Sequence, residues 1–416
     1  MDRQKRGVSA GTIVMVSVTV LVLALFAVLI LPRLGSPREP KTASPASTVR
    51  ATALPRATAR PQTSAAPGVT SSPVRSFTLT AGGTVAMEPE VVKAGYYSEA
   101  KRYDFSDTLS LLADDMQADI SLVTLENLVV PGAKVGKLIA PAEVMAMLKR
   151  GGVNTVALGF KRVWEQGTAA VESTRSAAQQ QGLRCIGAFT DPADAAASAQ
   201  IIEINGVRVA VLHFTQSVTG GSKNKLKKDG RSELLPMTAQ AASEIRAARA
   251  AGAEVVIVSV HWGSEGNTSP TKAQQTLAQQ MADAGADVII GTGSRRVQSA
   301  TWLTANRPDG SQGRTLCCYS LGCLISDSRD NGAVAGMLLH LTFQVTADGQ
   351  VTISDASYTP TFVWRYSVAS SNRYQVVSTL RAEPDAMNPD QRSAFAKARS
   401  RVENKLNGSP LRERIR

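Results

Sequence analysis

The stretch Glu254-Val255-Val256-Ile257-Val258-Ser259-Val260-His261-Trp262-Gly263 constrains this chain more than any other segment. It reads as a strongly apolar strand that delivers a histidine to its carboxyl end, where α/β sheets build their sites. His261 is one of three histidines, with His213 and His340. Any metal or acid/base mechanism must therefore be assembled from very few parts.

The surrounding pattern alternates. Helical spacing runs from Asp104 to Gln117, a strand follows at 120–125, a helix at 141–150 begins with Pro141, and 153–159 is again strand-like. An Ala/Gln-rich helix from Thr168 to Gln181 stops at Gly182, and 201–212 reads as a hairpin turning through Asn205-Gly206. Helices at 239–251 and 272–284 flank the opening strand, and 286–291 is the next strand. Later strands near 316–320, 336–345 and 351–354 have no helices between them, so the chain is α/β first and β-rich afterwards. Four lysines at 223, 225, 227 and 228 read as an exposed loop, and a basic helix capped by Asn388, with Pro389 in its first turn, ends near Gly408.

The ends have a different character. Residues 11–31 hold an uncharged apolar run long enough to cross a hydrocarbon layer of roughly 30 Å as a helix, with no small-residue cleavage site after it. Arg3, Lys5 and Arg6 precede it, which puts residues 1–10 in the cytoplasm and the rest of the chain outside. Residues 32–75 are rich in Pro, Ala, Ser and Thr and poor in large apolar side chains, and read as a disordered tether. The main domain is expected at 76–365, followed by a C-terminal extension at 366–416. The net charge of +12 sits at the ends, +8 over residues 1–75 and +6 over 391–416, leaving −2 between them. That distribution argues against a nucleic-acid partner and fits flanks lying near anionic lipid or anionic wall polymer. Cys185, Cys317, Cys318 and Cys323 form neither a disulfide framework nor a zinc knuckle, and read as free thiols.

Gly82-Gly83, Leu125-Glu126-Asn127, the loop from Gly159 to Gly167, His261-Trp262-Gly263, the stretch from Gly291 to Gln298, and Tyr319-Ser320-Leu321-Gly322 occur in one order and at sensible spacing. In this, residues 77 to about 345 resemble the bacterial capsule-synthesis CapA family, connected with poly-γ-glutamate capsules and placed in the calcineurin-like metallophosphoesterase superfamily. The resemblance implies a metallophosphoesterase-like α/β sandwich, two mixed sheets flanked by helices, and a two-metal centre built from loops at strand ends. Such a centre needs carboxylates, an Asn and several neutral imidazoles.

This chain departs from that pattern. Gly82-Gly83 stands for the family's Gly-Asp, and Phe160-Lys161-Arg162-Val163-Trp164-Glu165 for its Asn-Asn-His-x-x-Asp. Gly291-Thr292-Gly293-Ser294-Arg295 stands for Gly-His-His-Pro-His, and Cys323-Leu324 for Asn-Phe. Only Glu126 and His261 remain as vestigial catalytic candidates, so no metal is expected; the alternative is a hydrolase with one divalent ion at these two residues. His213 and His340, inside apolar strands, read as core residues. Lys161, Arg162, Arg295 and Arg296 bring cations to the loops where ligands would meet. One reading makes Lys161, Arg162, Arg295, Trp262 and Gly263 a binding site for an anionic group of a wall or capsule polymer. The other has Arg162 and Arg295 pairing with Glu126 or Glu165 and closing the old site. Ser320 or Cys323 as a nucleophile with His261 as base lacks an orienting third group. The expected protein is a single-pass, extracytoplasmic, non-catalytic component of capsule or envelope polymer synthesis or attachment.

Overall fold

A computed structural model of the protein describes residues 74–190, 201–231, 234, 240–307, 310–328, 330 and 332–415. The expected cytoplasmic segment and anchor (1–31), and the tether up to residue 73, lie outside the described residues. Among the described residues no helix is long and apolar enough to cross a membrane.

Two mixed sheets carry the fold. The larger runs in the order Ser371–Ser378, Val351–Val368, Ala335–Val345, Arg75–Val85, Ile120–Leu125, Thr155–Ala157, Arg184–Ile186, with Cys323–Ile325 beside Arg75–Val85 and Arg412–Glu413 beside Val351–Val368. The smaller runs Ala300–Asn306, Gln312–Cys318, Val288–Thr292, Val255–His261, Val207–Thr215, Ile201–Ile204. Strand alternation sorts the side chains into layers. Leu79, Ile120 and Leu122 of one sheet and Val209, Val255 and Ile257 of the other share the core between the sheets. Val256, Val258 and Val260 point the other way, onto Ile245 and Met281 of the helices Ala241–Ala250 and Lys272–Ala284. Val123 and Val156 likewise pack with Leu148 and Val171 of Glu143–Arg150 and Thr168–Gln180. The opening strand is therefore buried on both faces and parallel to both neighbours, as an apolar run in a helix-covered sheet must be.

Several local expectations hold. The hairpin turns at Asn205 (φ 51°) and Gly206 (φ 76°), the left-handed pair a two-residue turn requires. Asn388 closes a capping box with Gln391 at the head of Pro389–Leu406. Cys317 and Cys318 face opposite cores, and all four cysteines are free.

Others are corrected. The expected helix 104–117 is only a turn of 3-10 helix (Ser110–Leu112) and a short helix (Ala113–Met116), because Asp104 accepts from the Ser106 amide and Phe105 leaves for the core. The lysine-rich loop is a helix, Gly220–Lys228, capped by Thr219. The strand Arg75–Val85 runs straight through Gly82-Gly83, which the sequence offered only as a motif. It changes partners there, leaving Ala335–Val345 after Ala81 and joining Cys323–Ile325 from Thr84. A side chain at Gly83 would stand 2.2 Å from the Gly322 carbonyl, so the exchange of partners needs glycine. The C-terminal extension is no appendage: Ser371–Ser378 forms the edge of the larger sheet, and Phe395, Val402 and Leu406 lie in the core between the sheets.

Candidate functional site

The carboxyl ends of the parallel strands in both sheets open onto one cleft of about 280 Å³. Glu88 stands three residues beyond the strand Arg75–Val85, and Glu126 directly follows Ile120–Leu125. His261 ends its own strand, and Arg295 stands three residues beyond Val288–Thr292. The turn before Arg295 has little freedom. Gly293 (φ 101°) has no room for a side chain between the Trp262 carbonyl at 2.6 Å and the His261 ring at 3.0 Å, and Arg295 itself is left-handed (φ 58°). A non-glycine residue in that conformation is held by its surroundings, and the guanidinium shows what holds it.

Arg295 donates from Nη2 to Glu126 Oε2 (2.7 Å), and from Nη1 to Glu88 Oε1 (2.7 Å) and to the more exposed Glu265 (3.3 Å). The other oxygen of Glu126 lies 3.2 Å from His261 Nε2 and accepts from Thr84 Oγ1 at 3.3 Å. The second oxygen of Glu88 accepts from Ser326 Oγ (2.9 Å) and the Asp327 amide (2.8 Å). His261 Nδ1 is buried with no partner among the described residues. Burial opposes charge on Glu126, but the His261 hydrogen bond and the charges of His261 and Arg295 outweigh it and hold the carboxyl at about 2. Burial likewise opposes the charge on Arg295, and Glu126 and Glu88 hold it protonated.

The folded carboxyl of Glu126 thus titrates below its ordinary 4.5. Its contribution, about 3 kcal/mol, is complete above pH 4.5 and is lost as pH falls through 2. Urea unfolding of the wild type is expected to lose roughly that much more stability between pH 5 and pH 2 than Glu126→Gln loses. Parallel curves for the two proteins would contradict it.

Of the residues singled out from sequence, Glu126, His261 and Arg295 meet. Arg162 lines the same cleft but is bound to Glu165 through Nε and Nη2, both at 2.8 Å. The two arginines thus follow the closing arrangement and are not free anion receptors. Lys161, with Lys137 which sequence reasoning missed, lines the cleft without an ion-pair partner among the described residues. Trp262 is corrected: it is fully buried against Tyr319 and its Nε1 donates to that residue's carbonyl (2.8 Å). Gly263 gives its amide to Gln216 (2.8 Å) and lies outside the cleft lining. Arg296 pairs with Asp330. Ser320 is buried on Ser294 (3.0 Å), and burial raises the Cys323 thiol far above its ordinary value, so neither is poised as a nucleophile. His213 is satisfied by Ser259 (2.9 Å) and the Gly159 carbonyl (2.8 Å), and His340 by Thr359 (3.0 Å) and Arg414 (2.8 Å).

Glu88 was also missed. A carboxylate soon after the first strand was its only signal in the sequence. These residues do not fit the pair of divalent ions that the resemblance implies. A guanidinium stands in hydrogen-bond contact with both carboxylates, the nearly enclosed Glu126 and the part-buried Glu88, and among the described residues no group of three or more His, Cys, Asp or Glu side chains is placed to hold an ion.

Fold and cleft together define a class: a two-sheet α/β protein whose strand-end cleft is closed by a carboxylate–imidazole–guanidinium cluster. Residues 78–328, more than half of the chain, match the family described as bacterial capsule synthesis protein PGA_cap, and the chain belongs to that family. It is 29% identical over 163 residues to the capsule biosynthesis protein CapA of Bacillus anthracis, covering 39% of each chain. With the PGA biosynthesis protein CapA of Bacillus subtilis (strain 168) it shares 28% over 196 residues, covering 46% of this chain and 48% of the other. The matches thus span less than half the length of these curated relatives. Among solved structures it is similar to the NAD nucleotidase NadN of Haemophilus influenzae (TM-score 0.40, 12% identity, 82% of this chain and 58% of that one). It is also similar to a putative 5'-nucleotidase from Staphylococcus aureus (TM-score 0.36, 10% identity, 78% and 58%).

Proposed function

We propose that this chain is a membrane-anchored, extracytoplasmic, non-catalytic component of capsule, poly-γ-glutamate or cell-envelope polymer synthesis or attachment. Its family and its CapA relatives support the capsule connection. One observation carries the non-catalytic reading: the Arg295 guanidinium takes up Glu126 and Glu88, the carboxylates a hydrolytic metal would need. A fixed cation neutralises them without offering an open coordination position, and so activates no water. Lys161 and Lys137 at the mouth are the cations left for an anionic polymer.

The test uses the full chain purified in detergent. Elemental analysis is expected to find no stoichiometric divalent ion, and immobilised poly-γ-glutamate is expected to retain the wild type more strongly than Lys161→Ala. A stoichiometric ion that disappears in His261→Ala would replace this reading with the mononuclear hydrolase. Equal retention of wild type and Lys161→Ala would remove the polymer contact from this cleft.

A further inference from the structure

A second cavity, of about 480 Å³, lies between the helix Pro389–Leu406, the loop around Gly266 and Thr268, and the stretch Arg296-Val297. Its lining is basic. Arg296, Arg401 and Lys405 share it with one acid, Asp330, and Arg296 already binds that acid through both terminal nitrogens, Nη1 to Oδ1 at 3.0 Å. The Arg296 hydrogen bond first, then the Gly332 amide and the charges of Arg296 and Arg401, hold the Asp330 carboxyl at about 2. Asp330 therefore stays ionised, and three cations against one carboxylate leave the lining at +2. Lys405 has no ion-pair partner among the described residues. Arg401 and Lys405 stand one turn apart on the same helix face, a spacing at which like charges repel and weaken a helix. Val402, beside them on that face, is fully buried and fixes it against the domain. An anion in the cavity would turn this repulsion into attraction.

Position and lining narrow the kind of anion. Two pairs of chain neighbours divide themselves between this cavity and the strand-end cleft: Glu265 and Arg295 line the cleft, Gly266 and Arg296 the cavity. Consecutive residues are about 3.8 Å apart, so the two spaces adjoin. Val297, Ala335 and Val402 give the cavity apolar walls, which suit methylene groups and offer nothing to an inorganic ion. A chain of carboxylates separated by methylenes uses both the cations and the walls. From this juxtaposition we infer that the cavity is a second anion site, holding a carboxylate of a polyanionic chain whose neighbouring segment lies in the cleft. The inference rests on the reading of the cleft, with Lys161 and Lys137, as a polymer contact. Arg401, Val402 and Lys405 lie beyond residues 78–328, so the C-terminal helix contributes to this site from outside the region that matches the family.

Titrating the detergent-purified full chain over immobilised poly-γ-glutamate gives an apparent Kd for each variant. Lys405→Gln should raise it roughly threefold, and Arg401→Gln combined with Lys405→Gln roughly tenfold, with a shallower dependence on salt. Lys405 is half-exposed, so its replacement by Gln should move the melting temperature by no more than about two degrees. Lys405→Arg should bind like wild type, and so should Lys149→Gln, which removes an exposed lysine outside both cavities. Free glutamate fills one site at a time and should compete only at a concentration of acid groups about 100-fold higher than the soluble polymer needs. Equal binding by wild type and the double variant would overturn the inference, while a loss confined to Lys161→Ala would leave the cleft contact standing. A loss in the double variant with none in Lys161→Ala would equally overturn it, because one chain would not be spanning both spaces. So would a matching loss in Lys149→Gln, which would mean attraction to positive charge in general.

Discussion

Arg295→Ala should destabilise the protein by about 3–5 kcal/mol, because it removes the one cation shared by Glu88 and Glu126 and leaves Glu126 with the His261 ring as its only remaining cationic partner. Glu126 is almost fully enclosed, and without the guanidinium it keeps only His261 and Thr84 as partners. Glu88 keeps Ser326 and the Asp327 amide on one oxygen and loses its partner on the other. Alanine is the informative replacement: it pays the left-handed conformation at φ 58° just as arginine does, whereas glycine would relieve it and mask the electrostatic loss. Adding Glu126→Gln to Arg295→Ala should recover part of the loss, since the amide has no charge left to strand. Urea titrations of the two single variants and the double variant give that coupling directly. Salt should screen the outer Arg295–Glu265 contact more than the enclosed Arg295–Glu126 contact. A loss under 1 kcal/mol, or simple additivity of the two substitutions, would show that the guanidinium is not what holds these carboxylates.

Local signals in the sequence were reliable where local chemistry decides. Asn205-Gly206 makes its turn because both backbones go left-handed at small cost, and Asn388 caps its helix because side chain and backbone meet within four residues. The apolar run through His261 reported its own burial. Distant contacts were illegible. Val351–Val368 is the longest strand in the fold, yet it carries Pro360 and a mixture of Ser, Thr and Asp, and it is held by pairing with Ala335–Val345 and Ser371–Ser378 on its two sides. The cleft divides the same way. Glu126, His261 and Arg295 could be found because each sits at a recognisable strand end, but their meeting with Glu88 depends on a chain reversal across 207 positions. Trp262 was misplaced for the converse reason: next to His261 on the chain, it points to the opposite side of the strand, into the helix-covered core.

Deleting residues 388–416 should abolish cooperative folding, although the sequence presents them as a basic tail. The helix Pro389–Leu406 buries Phe395, Ala398, Val402 and Leu406, and Phe395 meets Phe362 edge-on with ring centres 5.9 Å apart. Leu411 adds a further buried side chain, and Arg412–Glu413 pairs with Ser357 and Tyr358 of the longest strand. Burial of a Phe, a Val and two Leu side chains at roughly 1.5–3 kcal/mol each is comparable with the 5–15 kcal/mol that holds a typical domain folded. The charges give the tail its polar look without making it free. Arg399 binds Glu403 (2.7 Å) and Glu413 (2.9 Å) within the segment itself, and Arg412 binds Asp355 (2.7 Å) of the longest strand, so part of the positive charge is met locally and part on the rest of the domain. The truncated chain should therefore aggregate, or melt without a sharp transition, in a thermal scan followed by circular dichroism. The single substitution Leu406→Ala, which leaves every charge in place, should cost about 2–5 kcal/mol. A truncated chain that melts cooperatively within a few degrees of the full-length protein would return residues 388–416 to the status of an appendage.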